Sequence, residues 1–160
     1  MNSVSVTIRE IEEAHRLAVI ELVHQFFKQV NSLELDGLFR IRPRAAKKFT
    51  DLYYKLQGTG KVYFFGAFLE QELVAITIAR REEKPYLVEE KTLFVDLCVV
   101  KNGHKRKGVM TTLVNHLEHW AKEQGYPSLE LRAITKNAEA VEFWRHMGYD
   151  PFFIRYRKRL

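Results

Sequence analysis

The order of apolar patterns along the chain predicts an α/β domain built on a mixed central β-sheet flanked by helices. Two observations carry this. Runs of period two alternate with runs of helical period from one end of the chain to the other, and an apolar hairpin sits between the helical segments. Ser3 to Arg9 sets Val4, Val6 and Ile8 against polar neighbours, the pattern of a strand. Ile11, Ala14, Ala18, Leu22, Phe26 and Val30 then recur at helical spacing. Asn31 to Pro43 has no internal period and is read as a loop. Ala45, Phe49, Leu52 and Leu56 mark a second helix that stops at Gly58. Lys61 to Leu69 and Leu73 to Ala79 are rich in strand-forming residues and are joined by the polar Glu70 to Glu72, as in an antiparallel hairpin.

Pro85 breaks the pattern, and Glu89 to Val100 is extended again. Strict alternation places Leu93, Val95, Leu97 and Val99 on one face of that strand and Phe94, Asp96, Cys98 and Val100 on the other. An amphipathic helix is expected from Gly108 to about Gln124, with Val109, Leu113, Leu117, Trp120 and Ala121 buried and Gly125 as its stop. Ser128 to Ile134 reads as a strand. Asn137 is a good N-cap for a short helix whose apolar stripe is Ala140, Val141, Trp144 and Met147, ended by Gly148. Phe152 to Leu160 alternates and is expected to close the sheet as a last strand.

A length of 160 residues suits a single domain spanning 1–160, and no repeat, linker or low-complexity segment divides it. The composition, 46% hydrophobic and 29% charged with 8 Gly and 4 Pro, excludes disordered and collagenous classes. Uncharged runs such as Val62 to Leu69 fall far below the ~20 residues of a membrane-spanning helix. Arg9, Glu10, Glu12 and Glu13 occupy the place where a secretory signal carries its apolar core, and the single cysteine cannot form an intrachain disulfide, so a reducing cytoplasm is the expected compartment. The net charge of +6 favours an anionic partner without saying which kind.

The location of the charge is more informative. The apolar strand ending at Val100 runs into a loop with His104, Lys105, Arg106 and Lys107, and Gly108 opens a helix directly behind it. A helix N-terminus presents unpaired N–H groups and a partial positive charge, which suit a phosphate; a glycine lets the anion approach the backbone. Asp96 is a lone carboxylate on an otherwise apolar strand and must find a partner, a water or a chemical task. Cys98, in mid-strand, reads as a small buried hydrophobe. The six histidines show no metal-ligand spacing, and no metal is assigned.

From Asp96 onward these residues resemble the GNAT superfamily of acetyl-CoA-dependent N-acetyltransferases. The family's glycine-containing signature appears as Cys98-Val99-Val100, four residues, and then Lys105-Arg106-Lys107-Gly108-Val109-Met110. Its second element appears as Asn137-Ala-Glu-Ala140-Val-Glu-Phe143-Trp144-Arg-His-Met-Gly148-Tyr149. The resemblance implies a GNAT-like acyl-CoA N-acyltransferase fold and acetyl transfer from acetyl-CoA to a primary amine by direct attack in a ternary complex. It further implies that the backbone at Cys98, Val99 and Val100 pairs with the pantetheine arm and that the amides from Arg106 to Thr111 hold the pyrophosphate. Asn137 and Trp144 would line the far side of the cofactor slot, and Asp96 would deprotonate or orient the amine.

Departures from the family pattern are visible too. Lys105 stands in place of Arg or Gln, Met110 in place of a small residue, and Trp144 where many members have tyrosine. An indole donates a hydrogen bond but is no useful acid, so no general acid is assigned. The acceptor is expected between the loop joining the first two helices and the hairpin, with Glu34, Asp36 and Phe39 facing it. Two readings compete: a nucleic-acid-binding domain using Lys101 to Lys107 with Arg155, Arg157, Lys158 and Arg159, and a CoA-binding module without catalysis. The basic loop has no interleaved aromatic residues on which bases would stack, which disfavours nucleic acid. A membrane partner is not expected, and the sequence does not read out whether the chain forms a homodimer.

Overall fold

A computed structural model describes residues 4–160. The elements are β1 (Thr7–Glu10), α1 (Arg16–Ser32), α2 (Ala45–Leu56), β2 (Val62–Leu69), β3 (Glu72–Glu83), β4 (Lys91–Val100), α3 (Val109–Glu123), β5 (Leu129–Leu131) and α4 (Ala138–His146). Short 3-10 turns precede α1 and lie between α1 and α2. The strands form one mixed sheet in the order β1-β2-β3-β4-β5, antiparallel except for the parallel pair β4 and β5.

Two apolar layers sandwich this sheet. Val19, Leu22 and Val23 of α1 and Tyr54 of α2 pack on Phe64, Ile76, Ile78, Leu97 and Val99. Leu113, Leu117 and Ala121 of α3 pack on Phe65, Val74, Ala75, Leu93 and Val95 on the opposite face. Both strands of the hairpin are apolar on each face because each side carries a helix, as expected for a covered central strand. Glu70 takes a positive φ of 57° at the hairpin turn.

Most of the elements stand where periodicity places them, with several differences. The first helix begins at Arg16, so Ile11 lies before it and Ala14 in the preceding 3-10 turn, and β3 runs past Ala79 to Glu83. The first strand covers Thr7–Glu10; Ser3, where it was expected to begin, lies outside the described residues. The strand expected over Ser128 to Ile134 pairs only over Leu129–Leu131. The closing strand expected over Phe152 to Leu160 does not form: this segment has no regular structure and every residue in it is exposed. Phe152 and Phe153, neighbours in sequence, are 71% and 82% exposed, so the alternation has no inner face. A strand needs a neighbour's edge. This tail instead reaches the loop between α1 and α2, where the Arg157 guanidinium pairs with Asp36.

β4 also departs from strict alternation, and this positions the site. Leu93 N–H donates to Ser128 on the β5 side, whereas Lys101 N–H donates to Val74 on β3, although both positions are odd-numbered. The switch occurs at Asp96: Ala79 faces Val95 and Ile78 faces Leu97, so Asp96 is the extra residue of a β-bulge. Side chains exchange faces at the same point. Leu93 and Val95 belong to the layer beneath α3, whereas Leu97 and Val99 belong to the layer beneath α1 and α2. The expected single apolar face from Leu93 to Val99 is therefore corrected: alternation counts residues, and a bulge adds one.

Candidate active site

The bulge ends the pairing of β4 with β5. Their ladder stops at Val95 and Leu131, and from Asp96 onward the edge of β4 that faced β5 is open. Because Lys101 N–H points to β3, Val99 and Leu97 share that direction, and the backbone groups of Cys98 and Val100 point into the opening. The opening is a cleft of about 970 Å³. Its walls are β4 from Val95 to Val100, the loop and first turn of α3 from His104 to Thr111, the end of β5 through Ile134, the inner side of α4, and Phe26, Gln29 and Val30 of α1.

The sequence-derived candidates meet in this cleft. Asp96, Cys98, Val99, Val100, Lys105, Arg106, Lys107, Gly108, Val109, Met110, Thr111, Asn137 and Trp144 all line it. The loop before α3 curls through left-handed residues: Gly103 has φ 91°, Arg106 φ 60° and Gly108 φ 77°. These turns bring the chain into α3, whose first-turn amides have no intrahelical partner. The loop's cations are differently engaged. Lys101 pairs with Glu72 at 2.7 Å, and the Lys107 ammonium donates to the Gly103 carbonyl at 3.0 Å. Among the described residues, Lys105 and Arg106 form no ion pair, and both are exposed. Met110 is half-buried; it packs on the layer beneath α3 and also lines the opening. Asn137 caps α4, its Oδ1 accepting from Ala140 N–H at 3.2 Å.

Asp96 is held from two elements. The Tyr53 hydroxyl of α2 donates to Oδ2 at 2.5 Å, and Arg80 Nε of β3 lies 3.2 Å from Oδ1 and 3.1 Å from Oδ2. Its side chain is only 8% exposed. Burial, and then donation to the Asp96 carboxylate, push the Tyr53 phenol well above the ordinary tyrosine range, so it stays a proton-bearing donor. Sequence reading foresaw that Asp96 needs a partner but named neither Tyr53 nor Arg80. Both lie far from it along the chain, and no local pattern marks them.

Cys98 lines the cleft without a reactive thiol: burial pushes the thiol up to about 12, and its Sγ lies 3.2 Å from Thr77 Oγ1. Other candidates sit elsewhere. The Tyr149 hydroxyl donates to Glu118 at 2.8 Å, and burial together with that bond raises its pKa far above the usual value. It is no proton donor to the cleft, whose lining does not include it. Glu34, Asp36 and Phe39 also fall outside the lining, and the Asp36 carboxylate is taken by Arg157 and by Leu38 N–H. The residues met at the α1 side are Phe26, Gln29 and Val30, which periodicity had marked only as helix.

The model of the acetyltransferase (GNAT) family matches residues 27–149, and the chain belongs to that family. No curated protein matches the sequence. Among solved structures, a tetramutant of the BH1408 protein from Bacillus halodurans superposes with a TM-score of 0.81 at 19% identity, over 96% of this chain and 99% of the other. A ribosomal-protein-alanine N-acetyltransferase from Brucella melitensis biovar Abortus 2308 gives 0.72 at 19%, over 98% and 99%. The aminoglycoside N-acetyltransferase AAC(6')-Iy in complex with CoA gives 0.73 at 15%, over 98% and 96%. At such identities the likeness establishes the fold. Among the described residues, no helix is long and apolar enough to cross a membrane.

Proposed function

We propose that this chain is a single-domain N-acetyltransferase that moves an acetyl group from acetyl-CoA to a primary amine held in the same cleft, without a covalent enzyme intermediate. The observation that carries the reading is one juxtaposition: the β4 edge opened by the Asp96 bulge leads directly into the left-handed loop at the N-terminus of α3. The donor set fits the cofactor. The unpaired first-turn amides of α3 with exposed Lys105 and Arg106 suit a diphosphate, and the outward backbone of Cys98 with the Val100 N–H suits an amide-bearing arm. The CoA-bound aminoglycoside N-acetyltransferase shares this fold, which supports the assignment.

Acetyl-CoA, when bound, supplies an activated thioester carbonyl. The chain's residues do the rest. Val100 N–H, pointing into the opening, donates to the carbonyl oxygen as negative charge develops there. Asp96 orients the amine and takes its proton, directly or through a water, while Tyr53 and Arg80 hold the carboxylate in place. Trp144 and Asn137 form the opposite wall. The departing thiolate takes its proton from solvent, because Tyr149 is committed to Glu118 and Trp144 is no acid. Glu139 and Glu142 of α4 are exposed and also line the cleft. Calorimetric titration with acetyl-CoA, followed by a panel of amines assayed for acetyl-CoA consumption, tests the reading. Absence of binding to the native protein ends it. Binding without turnover on any amine class would favour a CoA-binding module instead.

A further inference from the structure

The cleft is bounded on one side by α1, and one polar side chain of that helix reaches across to the backbone that feeds the anion loop. Gln25, half-buried, donates from Nε2 to the Val100 carbonyl at 2.8 Å and accepts at Oε1 from Asn102 N–H at 3.0 Å. These contacts complete the bonding of two successive peptide planes. The Val100–Lys101 peptide is held at its oxygen by Gln25 and at its nitrogen by Val74 on β3. The Lys101–Asn102 peptide is held at its nitrogen by Gln25 and at its oxygen by His104 N–H. Without Gln25, each plane would be fixed at one end only. A strand-end carbonyl facing away from its own sheet would also lose its partner, which a partly buried backbone group does not tolerate cheaply.

The planes so fixed lie between the two parts of the cofactor cleft. On one side is Val100, whose N–H faces the opening; on the other begins the loop that turns through Gly103, Arg106 and Gly108. A small rotation at this junction would move the loop amides relative to the strand edge, and both must meet one ligand at once. Gln29, one turn further along α1 on the same side, itself lines the cleft.

We infer that Gln25 is a positioning residue for cofactor binding: it fixes the Val100-to-Asn102 backbone so that the β4 edge and the anion loop stand in register for acetyl-CoA. This rests on the acetyl-CoA reading of the cleft. Gln25 touches no reacting atom and acts through the backbone it holds.

The test replaces Gln25 in the full chain by Met, which keeps length without the amide, and by Asn, which keeps the amide but falls short. CoA affinity is measured by calorimetry, the melting midpoint by calorimetric scanning, and exchange of the Asn102 amide by NMR. Both variants should speed Asn102 exchange and weaken CoA binding about tenfold while the folded protein persists at the assay temperature. If Asn102 exchange rises but either folded variant binds CoA within about twofold of the native protein, the clamp exists without serving the cofactor and the inference falls. The same holds if the variants only lower the melting midpoint, or if neither folds, since Gln25 is then a residue of the fold. Native protein that binds no CoA would instead overturn the acetyl-CoA reading itself, and that result is distinguishable from the others.

Discussion

Tyr53 and Asp96 meet across the junction of α2 and β4: the phenol donates to the carboxylate at 2.5 Å over a separation of 43 residues. The ring that carries this hydroxyl stacks near Phe49 and Phe64, with centroids at 4.5 and 6.1 Å, so it is placed by the apolar layer beneath α1 and α2. Arg80 approaches the same carboxylate from β3 while its guanidinium lies over the Phe94 ring at 4.6 Å. The core on one face of the sheet thereby holds a charge at the point where the sheet opens. A nearly buried carboxylate persists only with such partners, and here they leave it beside the cleft.

Asp96→Asn should lower the acetylation rate by roughly 100-fold or more, because the amide cannot take the amine's proton. CoA affinity should barely change, since the amides and cations of the α3 loop lie further along the cleft. Tyr53→Phe keeps the ring packing and should cost less, of order tenfold. Steady-state rates per folded molecule, with calorimetric CoA binding, check this. An unchanged rate in folded Asp96→Asn would leave Asp96 as a partner for Arg80 and Tyr53 alone.

Gly108 has φ 77°, a conformation that a β-branched residue adopts only with strain, and it stands where the anion would approach. Gly108→Val should therefore weaken acetyl-CoA binding by at least tenfold, whereas Lys105→Gln should cost little if the amides hold the diphosphate. Titration calorimetry on both variants separates backbone from side-chain binding. A larger loss in Lys105→Gln would reverse that assignment.

Gly66 lies in β2, facing Ile76 of β3. A Cβ there would stand 2.5 Å from Leu73 Cδ1 and 3.1 Å from both Ile11 Cγ1 and Phe68 Cε2. All three neighbours are buried, so they have little room to yield. Gly66→Ala should destabilise the fold by roughly 1–3 kcal/mol, the usual cost of overpacking. Denaturant titration reads the loss; a variant as stable as the native protein would mean that Leu73 rotates away freely.

Asp51 links α2 to α1. Hydrogen bonds from Lys47 first, and then from Arg16 at 2.7 Å, hold its carboxyl below the ordinary carboxylate range. A depressed folded pKa means that its contribution is complete above the unfolded value of about 3.9 and is lost as pH falls through the lower folded value. Asp51→Asn should thus be less stable than the native protein at neutral pH, and the gap should close on acidification below about pH 4. Thermal melts across that range check the sign, and a gap that widened on acidification would contradict it.

The helices were legible because each buries one stripe against the sheet, and the hairpin because its strands, covered on both faces, are apolar runs joined by a short polar turn. Leu113, Leu117 and Ala121 recur at helical spacing for the same reason that they are buried in the structure. The loop before α3, which we propose holds the cofactor's diphosphate, stands out in the sequence because strand, glycine, cations and helix are adjacent there. The closing strand does not form because alternation describes what a segment would bury if a partner were present; Ile154 and Tyr156 alternate with arginines and bury nothing. The α1 side of the cleft was missed for a related reason. Phe26 and Val30 were assigned to the helical stripe, and periodicity does not distinguish packing on the sheet from lining an opening in it.

By itself, the sequence determined the order of the elements, the glycine-bearing basic loop before α3, the cap and stripe of α4, and the presence of a carboxylate on β4 that would need company. These depend on contacts within a few residues, or on burial against an unspecified apolar surface, and both leave a periodic record. The tertiary structure decided the rest. It placed the extra residue of the bulge at Asp96, turned the backbone of Cys98 and Val100 into the opening, and brought Tyr53, Arg80 and Gln25 to their partners. A bulge adds one residue without altering composition, and a hydrogen bond needs two groups at one distance and angle. Neither requirement leaves a period along the chain, so only the folded arrangement of the strands and helices could satisfy them.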